Sequence, residues 1–252
     1  MLPVVALVAL PADQVLTADE AVRALTDGGF PVLGARTLDD GTLVLPWISE
    51  DGPHQVRITA HPGLPDARLG PRSPEPERLA VGRRHLRITL LQGPEERLDA
   101  DVLATALVAA LIPALPVVAV RLEHRGVWLH PEEWASLSAR DAGFGVPAEL
   151  LVDLEVGPLG PDALGVLSEG LDRYGLREVL VVADRSRLAD AWELAASLVE
   201  DRLLGAEPDV DLSPGPHPRR PGERVDVGFV DEDPDDDLEI EIVEDPGPEG
   251  EA

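Results

Sequence analysis

The stretch VLATALVAALIPALPVVAV, Val102 to Val120, runs 19 residues without a charge. Nothing else in the chain restricts the fold as strongly. A charge-free run of this length approaches what a helix needs to cross a bilayer. Pro113 and Pro116 fall inside it, and each removes a backbone donor and clashes with the preceding helical turn. The run therefore reads as a buried helix to about Ile112 and a strand from Pro116. Ala106 is expected in the core, and no membrane span is expected.

Other segments supply strands and helices around that core. VVALVAL, Val4 to Leu10, is continuously apolar, as a central strand is. No basic residue precedes it, so a strand is expected rather than a signal peptide. Thr17 and Glu20 form a capping box for a helix that stops at Gly28 and Gly29. FPVLGART and TLVLPWIS read as a hairpin around Asp40 and Gly41, and HQVRITAH alternates like a further strand. Pro62 to Pro76 is a surface loop.

The plan then recurs. HLRITLLQGP is a strand, LDADVLATALVAALI a helix, and PVVAVRLEHRGVWL parallels PVLGARTLDDGTLVL at an offset near 85 residues. Pro116, Arg121 and Gly126 answer to Pro31, Arg36 and Gly41. A duplicated strand–helix–strand–strand unit would produce this, and so would a chance likeness, because the identities are few. Beyond it, LLVDLEVG and REVLVVAD are strands, and ALGVLSEGLDRYGL fits either a strand with a turn or a helix. SRLADAWELAASLVEDRLLG is an amphipathic helix closed by Gly205, and RVDVGFV is expected as an edge strand.

RGVWLHPEEW, Arg125 to Trp134, gathers a histidine, two glutamates and two tryptophans. Pro131 suits the first helical position. Glu132 and Glu133 suit the first turn, where the helix dipole favours negative charge. His130 then stands at or just before the cap, so the stretch reads as a helix start. Trp128 and Trp134 are expected as core or interface anchors. A second arrangement involves His124, His130, Asp153 and Glu155. Asp153 and Glu155 lie two apart on one strand and share a face, as a hard cation or an acid–base pair would require. A polar, solvent-facing side of a sheet has the same pattern.

Composition narrows the function classes. The formal charge is −27, and all 21 basic residues are arginine. The last 22 residues, Asp231 to Ala252, carry 12 of the 48 acids and no base, leaving 36 acids against 21 arginines in the body. Such a surface repels phosphate backbones, so neither nucleic acid nor an anionic membrane is an expected partner. There is no cysteine, which removes disulfides, thiolate catalysis and Cys-ligated zinc. Dinucleotide, P-loop, zinc-peptidase, calcium-loop and Gly-x-Ser-x-Gly patterns are absent. GFG, Gly143 to Gly145, lacks the strand-before, helix-after setting of a phosphate loop. HPE, His130 to Glu132, opens like a zinc deaminase signature whose two required cysteines are missing. No cofactor and no metal are expected.

GVWLHPEEW followed by LLVDLEVGPLGPDALGVLSEGLDRYGLREVLVV resembles the bacterial family catalogued as domain of unknown function 4261. The matching positions are Gly126, Trp128, Val152, Asp153, Gly170, Leu171, Gly175, Leu176 and Glu178. The family often has Thr near Ser168, and the N-terminal half here matches only in pattern. The resemblance implies an α+β fold and brings no catalytic residues with it.

The expected architecture is α+β, a mixed sheet covered by helices in one body over residues 1–230, with pseudo-repeat halves 1–61 and 84–230. An acidic, disordered tail follows over 231–252. Within that tail LEIEIVE alternates apolar and acidic residues, so Leu238, Ile240 and Ile242 are candidates for adding a strand to a sheet edge, here or in a protein partner. The leading expectation is a cytoplasmic, non-catalytic protein-interaction module. A hydrolase or metal-dependent enzyme using Asp153, Glu155 and His130 is the first alternative, and a small-molecule binding domain the second.

Overall fold

In the computed structural model the described residues are 4–49, 52–66, 72–94, 96–140, 146–206, 212–220 and 222–230. The tail residues Leu238, Ile240 and Ile242, and the GFG triplet, lie outside them. The chain divides into two compact units, Met1–Leu151 and Val152–Ala252. That boundary falls within the span read from the sequence as one body. Among the described residues no helix is long and apolar enough to cross a membrane.

The first unit contains β1 (Val4–Leu10), α1 (Ala18–Asp27), β2 (Arg36–Thr37), β3 (Leu43–Ser49) and β4 (Gly52–Pro62). It continues with α2 (Pro76–Leu79), β5 (Arg84–Gln92), α3 (Arg97–Leu111), β6 (Ala119–Leu122), α4 (Pro131–Arg140) and α5 (Ala148–Leu151). Its strands form one six-stranded sheet in the order β2-β3-β4-β5-β1-β6, and every neighbouring pair is antiparallel. All seven residues of β1 are buried, which explains its unbroken apolar sequence.

One face of this sheet is the core. Ile58, Ile88, Ala6 and Leu122 form a row across four strands, and Leu86, Val8 and Val120 form the next. Helix α3 packs on β1 and β5, α1 packs on α3, and α4 packs on α3 and β6. Ala104, Leu107, Val108 and Leu111 of α3 are buried. Each fully buried Leu or Val there contributes about 1.5–3 kcal/mol. Trp134 is 0% exposed and donates its Nε1–H to the Thr105 carbonyl at 3.1 Å. Gly28 lets α1 end against α3, since a Cβ there would stand 2.4 Å from the Ala110 Cβ.

The charge-free run behaves as its prolines require. Helix α3 stops at Leu111, a 3-10 turn spans Ile112–Ala114, and β6 starts at Ala119. Ala106 is a correction, for it is exposed while Thr105 and Leu107 are buried. A helix at 3.6 residues per turn has an outer side even in an uncharged sequence, and alanine sits there without penalty. The strand–helix pairs β1–α1 and β5–α3 correspond, and an isolated antiparallel bridge between Val120 and Leu129 answers to the pairing of β2 with β3. Beyond the helix, β6 lies beside β1, whereas its counterpart β2 lies beside β3 at the far margin and β4 takes the place next to β5.

The second unit contains β7 (Asp153–Pro158), β8 (Ala163–Glu169), β9 (Val179–Asp184), α6 (Leu188–Leu204), β10 (Ser213–Pro216) and β11 (Arg224–Phe229). Its five-stranded sheet has the order β10-β11-β9-β8-β7. β11 runs parallel to β9 and the other pairs are antiparallel, so this sheet is the mixed one. Helix α6 makes the crossover between the parallel strands, packs on β8 and β9 through Ala195, Leu198 and Val199, and ends at Gly205 with φ 69°. The chain is thus α+β, with two sheets in place of the single sheet expected. RVDVGFV is an interior strand; the edge is β10, whose Pro214 and Pro216 lack backbone donors and so blunt it.

Candidate functional site

Successive residues of a strand point to opposite faces of its sheet, and register fixes which side chains share a face. Opposite the core of the first unit, Thr89 of β5 pairs with Arg57 of β4, Arg87 with Thr59, and His85 with His61. The Arg57 row continues through Val44 of β3 to Arg36 of β2. The Arg87 row continues through Leu7 of β1 to Arg121 of β6. Two parts of this face differ. Toward β1 and β6, Val5, Leu7 and Ala9 are closed over by Val118, Trp128, Leu64 and Leu79. Toward β3, β4 and β5 the face is open, a shallow depression of about 470 Å³ lined by Leu38, Asp40, Thr42, Arg57, Thr59, His61, Arg87 and Thr89.

Some charges of this face are anchored. Arg121 stacks on Trp128 with its guanidinium carbon 4.8 Å from the ring centre, and donates to the Asp66 carbonyl at 3.1 Å. Arg87 grips Glu123 through two contacts of 3.0 Å. Asp40 accepts from the Thr42 amide at 2.9 Å. The His61 and His85 rings stack at 5.2 Å, and His85 Nδ1 donates to the Gly63 carbonyl at 2.8 Å. Burial pushes the His85 imidazole below its ordinary value, and the neighbouring His61, Arg121 and Arg87 push the same way. Arg36 and Arg57 are exposed and make no ion pair among the described residues. The surface therefore offers guanidinium, hydroxyl and imidazole groups, a set suited to an anion.

The residues singled out by sequence have other employments. His130 precedes α4, and its carbonyl accepts from Trp134 N at 3.0 Å. Arg78 donates to His130 Nε2 at 2.6 Å, which places the ring proton on Nδ1. The 3.3 Å approach of Glu132 N to Nδ1 is then a contact and not a bond. Glu132 and Glu133 stand in the first turn of α4, exposed. His124 Nε2 lies 3.3 Å from the Leu151 carbonyl. Trp128 and Trp134 are both buried, as anchors should be.

Asp153 and Glu155 belong to the second unit, His130 to the first. Asp153 is buried opposite Glu169, and Glu155 stands two residues along β7. Arg219 pairs closely with Glu155 and stands 3.7 Å from Glu169, so one guanidinium serves two of these acids. Among the described residues no three His, Asp or Glu side chains gather as a cation would need.

The second unit also holds two polar arrangements that the sequence motifs do not flag. Glu178 is 4% exposed and accepts from Ser168 Oγ at 2.6 Å and Gly170 N at 2.8 Å, while Ser168 Oγ accepts from Val179 N at 2.8 Å. Together they close the turn between β8 and β9, where Gly170 has φ 120° and Gly175 φ 76°. Gly170, Gly175, Glu178 and Ser168 thereby all serve the turn. His217 is buried, and its Nδ1 accepts from Arg219 N and Arg220 N, each at 3.0 Å, which leaves the ring proton on Nε2. Burial, and then Arg220, push this imidazole below its ordinary value.

Comparison with family models, curated proteins and solved structures yields no match.

Proposed function

We propose that this protein is a non-catalytic protein-interaction module, and that the open half of the polar sheet face in the first unit is its binding surface. The observation behind this reading is the register. It sets Arg57, Thr59 and His61 beside Thr89, Arg87 and His85 on a face against which, among the described residues of the first unit, the only helix seen to pack is α2, through Leu79. Antiparallel sheets tolerate one solvated, polar face, so polarity alone does not mark a binding surface. Arginines and histidines in register add a capacity for recognition.

The alternative of carboxylate catalysis on β7 has less support, because Arg219 already pairs with Glu155. A partner pairing with Leu238, Ile240 and Ile242 is a separate proposal on residues outside the described ones. The test of the sheet face compares proteins retained by the immobilised full chain, by Thr59→Tyr, and by Ala106→Tyr on the helix side. Thr59→Tyr blocks the depression without altering charge and is expected to lose the retained partner, while Ala106→Tyr keeps it. The reverse pattern would move the binding surface to the helices.

A further inference from the structure

We infer that the open half of this sheet face binds an acidic peptide segment in extended conformation, its carboxylates taken by Arg57 and Arg36. The inference rests on the reading of that face as the binding surface and adds the chemistry of the partner.

Charge complementarity carries it. In a body of 36 acids against 21 arginines, this face sets Arg36, Arg57, Arg87 and Arg121 in two adjacent rows. The nearby acids are engaged. Glu123 is held by Arg87, and Asp40, which lines the depression with Arg57, accepts from the Thr42 amide while the nearby Arg57 also favours its charged form. Arg121 is committed to Trp128 and the Asp66 carbonyl. Arg36 and Arg57 remain, both exposed, on either side of Val44 in one row. Two strand spacings separate them by about 10 Å. Alternate residues of an extended chain lie about 7 Å apart. Two flexible arginine side chains span that difference, so each guanidinium fork can meet one carboxylate of an alternating acidic segment.

Shape and composition favour this occupant over others. The depression is shallow and its lining residues, Leu38 apart, are polar or charged, whereas small-molecule sites are concave and mostly apolar. Single-stranded nucleic acid needs aromatic platforms for its bases, and the open rows hold no ring but His61 and His85. The acidic surroundings repel a long polyanion, but salt at physiological strength screens that field beyond about 8 Å. A short segment in direct contact with Arg57 escapes most of the repulsion.

The experiment titrates a fluorescent octapeptide alternating Glu and Ser with the full chain, against the Gln–Ser counterpart. Saturable binding of the Glu–Ser peptide alone is expected, weakened about tenfold by Arg57→Gln, the loss of one charge-assisted hydrogen bond. Arg57 is exposed, so the variant is expected to keep the far-ultraviolet spectrum and melting temperature of the parent. Equal affinity of parent and Arg57→Gln would overturn the inference. So would binding of inorganic phosphate or of a thymidine oligonucleotide where the peptide itself does not bind. If the peptide fails while Thr59→Tyr still loses its partner, the acidic class falls and the binding surface stands. If Thr59→Tyr retains its partner, both fall.

Discussion

On β4 and β5, residues Arg57, Thr59, His61, His85, Arg87 and Thr89 stand off the sheet on the side away from α1, α3 and α4. Around β8, β9 and β11 the polar residues turn inward: Ser168 is 0% exposed, Glu178 4% and Asp226 7%. Glu178 holds a turn closed, and Asp226 meets Arg202 of α6 at 2.7 Å and Arg177 at 3.4 Å. Ser168, Glu178 and Asp226 are satisfied by the chain itself and fix conformation. The outward ones leave Arg36 and Arg57 without ion pairs among the described residues. The contrast teaches that a polar residue's role follows from whether its own fold satisfies it, which residue type alone does not reveal.

The largest expected effect tests the inward half of that contrast. Glu178→Ala strips the partner from Ser168 Oγ and Gly170 N in a buried turn and should cost about 3 kcal/mol. Urea unfolding would read it, and a loss under about 1 kcal/mol would mean that the network is dispensable. Asp226→Asn comes next. It weakens pairing with Arg202, 27% exposed, and Arg177, 60% exposed. A cost of about 1–2 kcal/mol is expected, below that of a fully buried pair because water screens both arginines.

A pH dependence sharpens the comparison further. His217 and His85 are both held below the ordinary 6.5, in each instance first by burial. The unfolded chain therefore takes up their protons before the folded one does. Their contribution to stability is complete above 6.5 and is lost as pH falls through the lowered folded values. His217→Gln and His85→Gln should each flatten part of that decline, and a profile unchanged by both would assign the acid sensitivity to carboxylates. Bound acidic peptide beside His85 should also raise its pKa, visible as proton uptake on binding.

Smaller effects are expected where groups face water. Glu132→Gln and Glu133→Gln should each cost about 0.3–1 kcal/mol, the usual interaction with a helix N-terminus. Loss of an activity with stability intact would instead give these glutamates a chemical role. Arg57→Ala should change stability by less than about 0.5 kcal/mol, as for an exposed side chain outside any ion pair among the described residues. A melting temperature lowered by more than about 4 °C would show that Arg57 supports the fold, and the distinction between the two regions would fail there.

Part of the candidate surface is legible in the sequence itself. HQVRITAH and HLRITLLQ each alternate, so Arg57, Thr59 and His61, and likewise His85, Arg87 and Thr89, are polar positions of half-buried strands. Spacing shows that each trio shares a face. It does not show that the trios adjoin, because β4 and β5 are separated by 21 residues and are brought together by a pairing from Gln55 to Pro62 that includes a bulge after Gln55. HPEEW draws attention for its density of reactive residue types, yet Arg78, 52 positions away, occupies His130 Nε2.

Local physics was therefore settled by sequence. The prolines at 113 and 116 ended α3, Thr17 and Glu20 capped α1, Gly205 closed α6, the apolar run at β1 marked a buried central strand, and REVLVVAD marked the strand β9. Each depends on residues within a few positions of one another, where steric and hydrogen-bonding rules act directly. Tertiary structure decided the division into two units, the interior place of β11, the exposure of Ala106 and the pairing of β4 with β5. These depend on which distant surfaces bury one another, and hydrophobic burial is non-directional, so a strand's pattern states that it will be covered without stating by what.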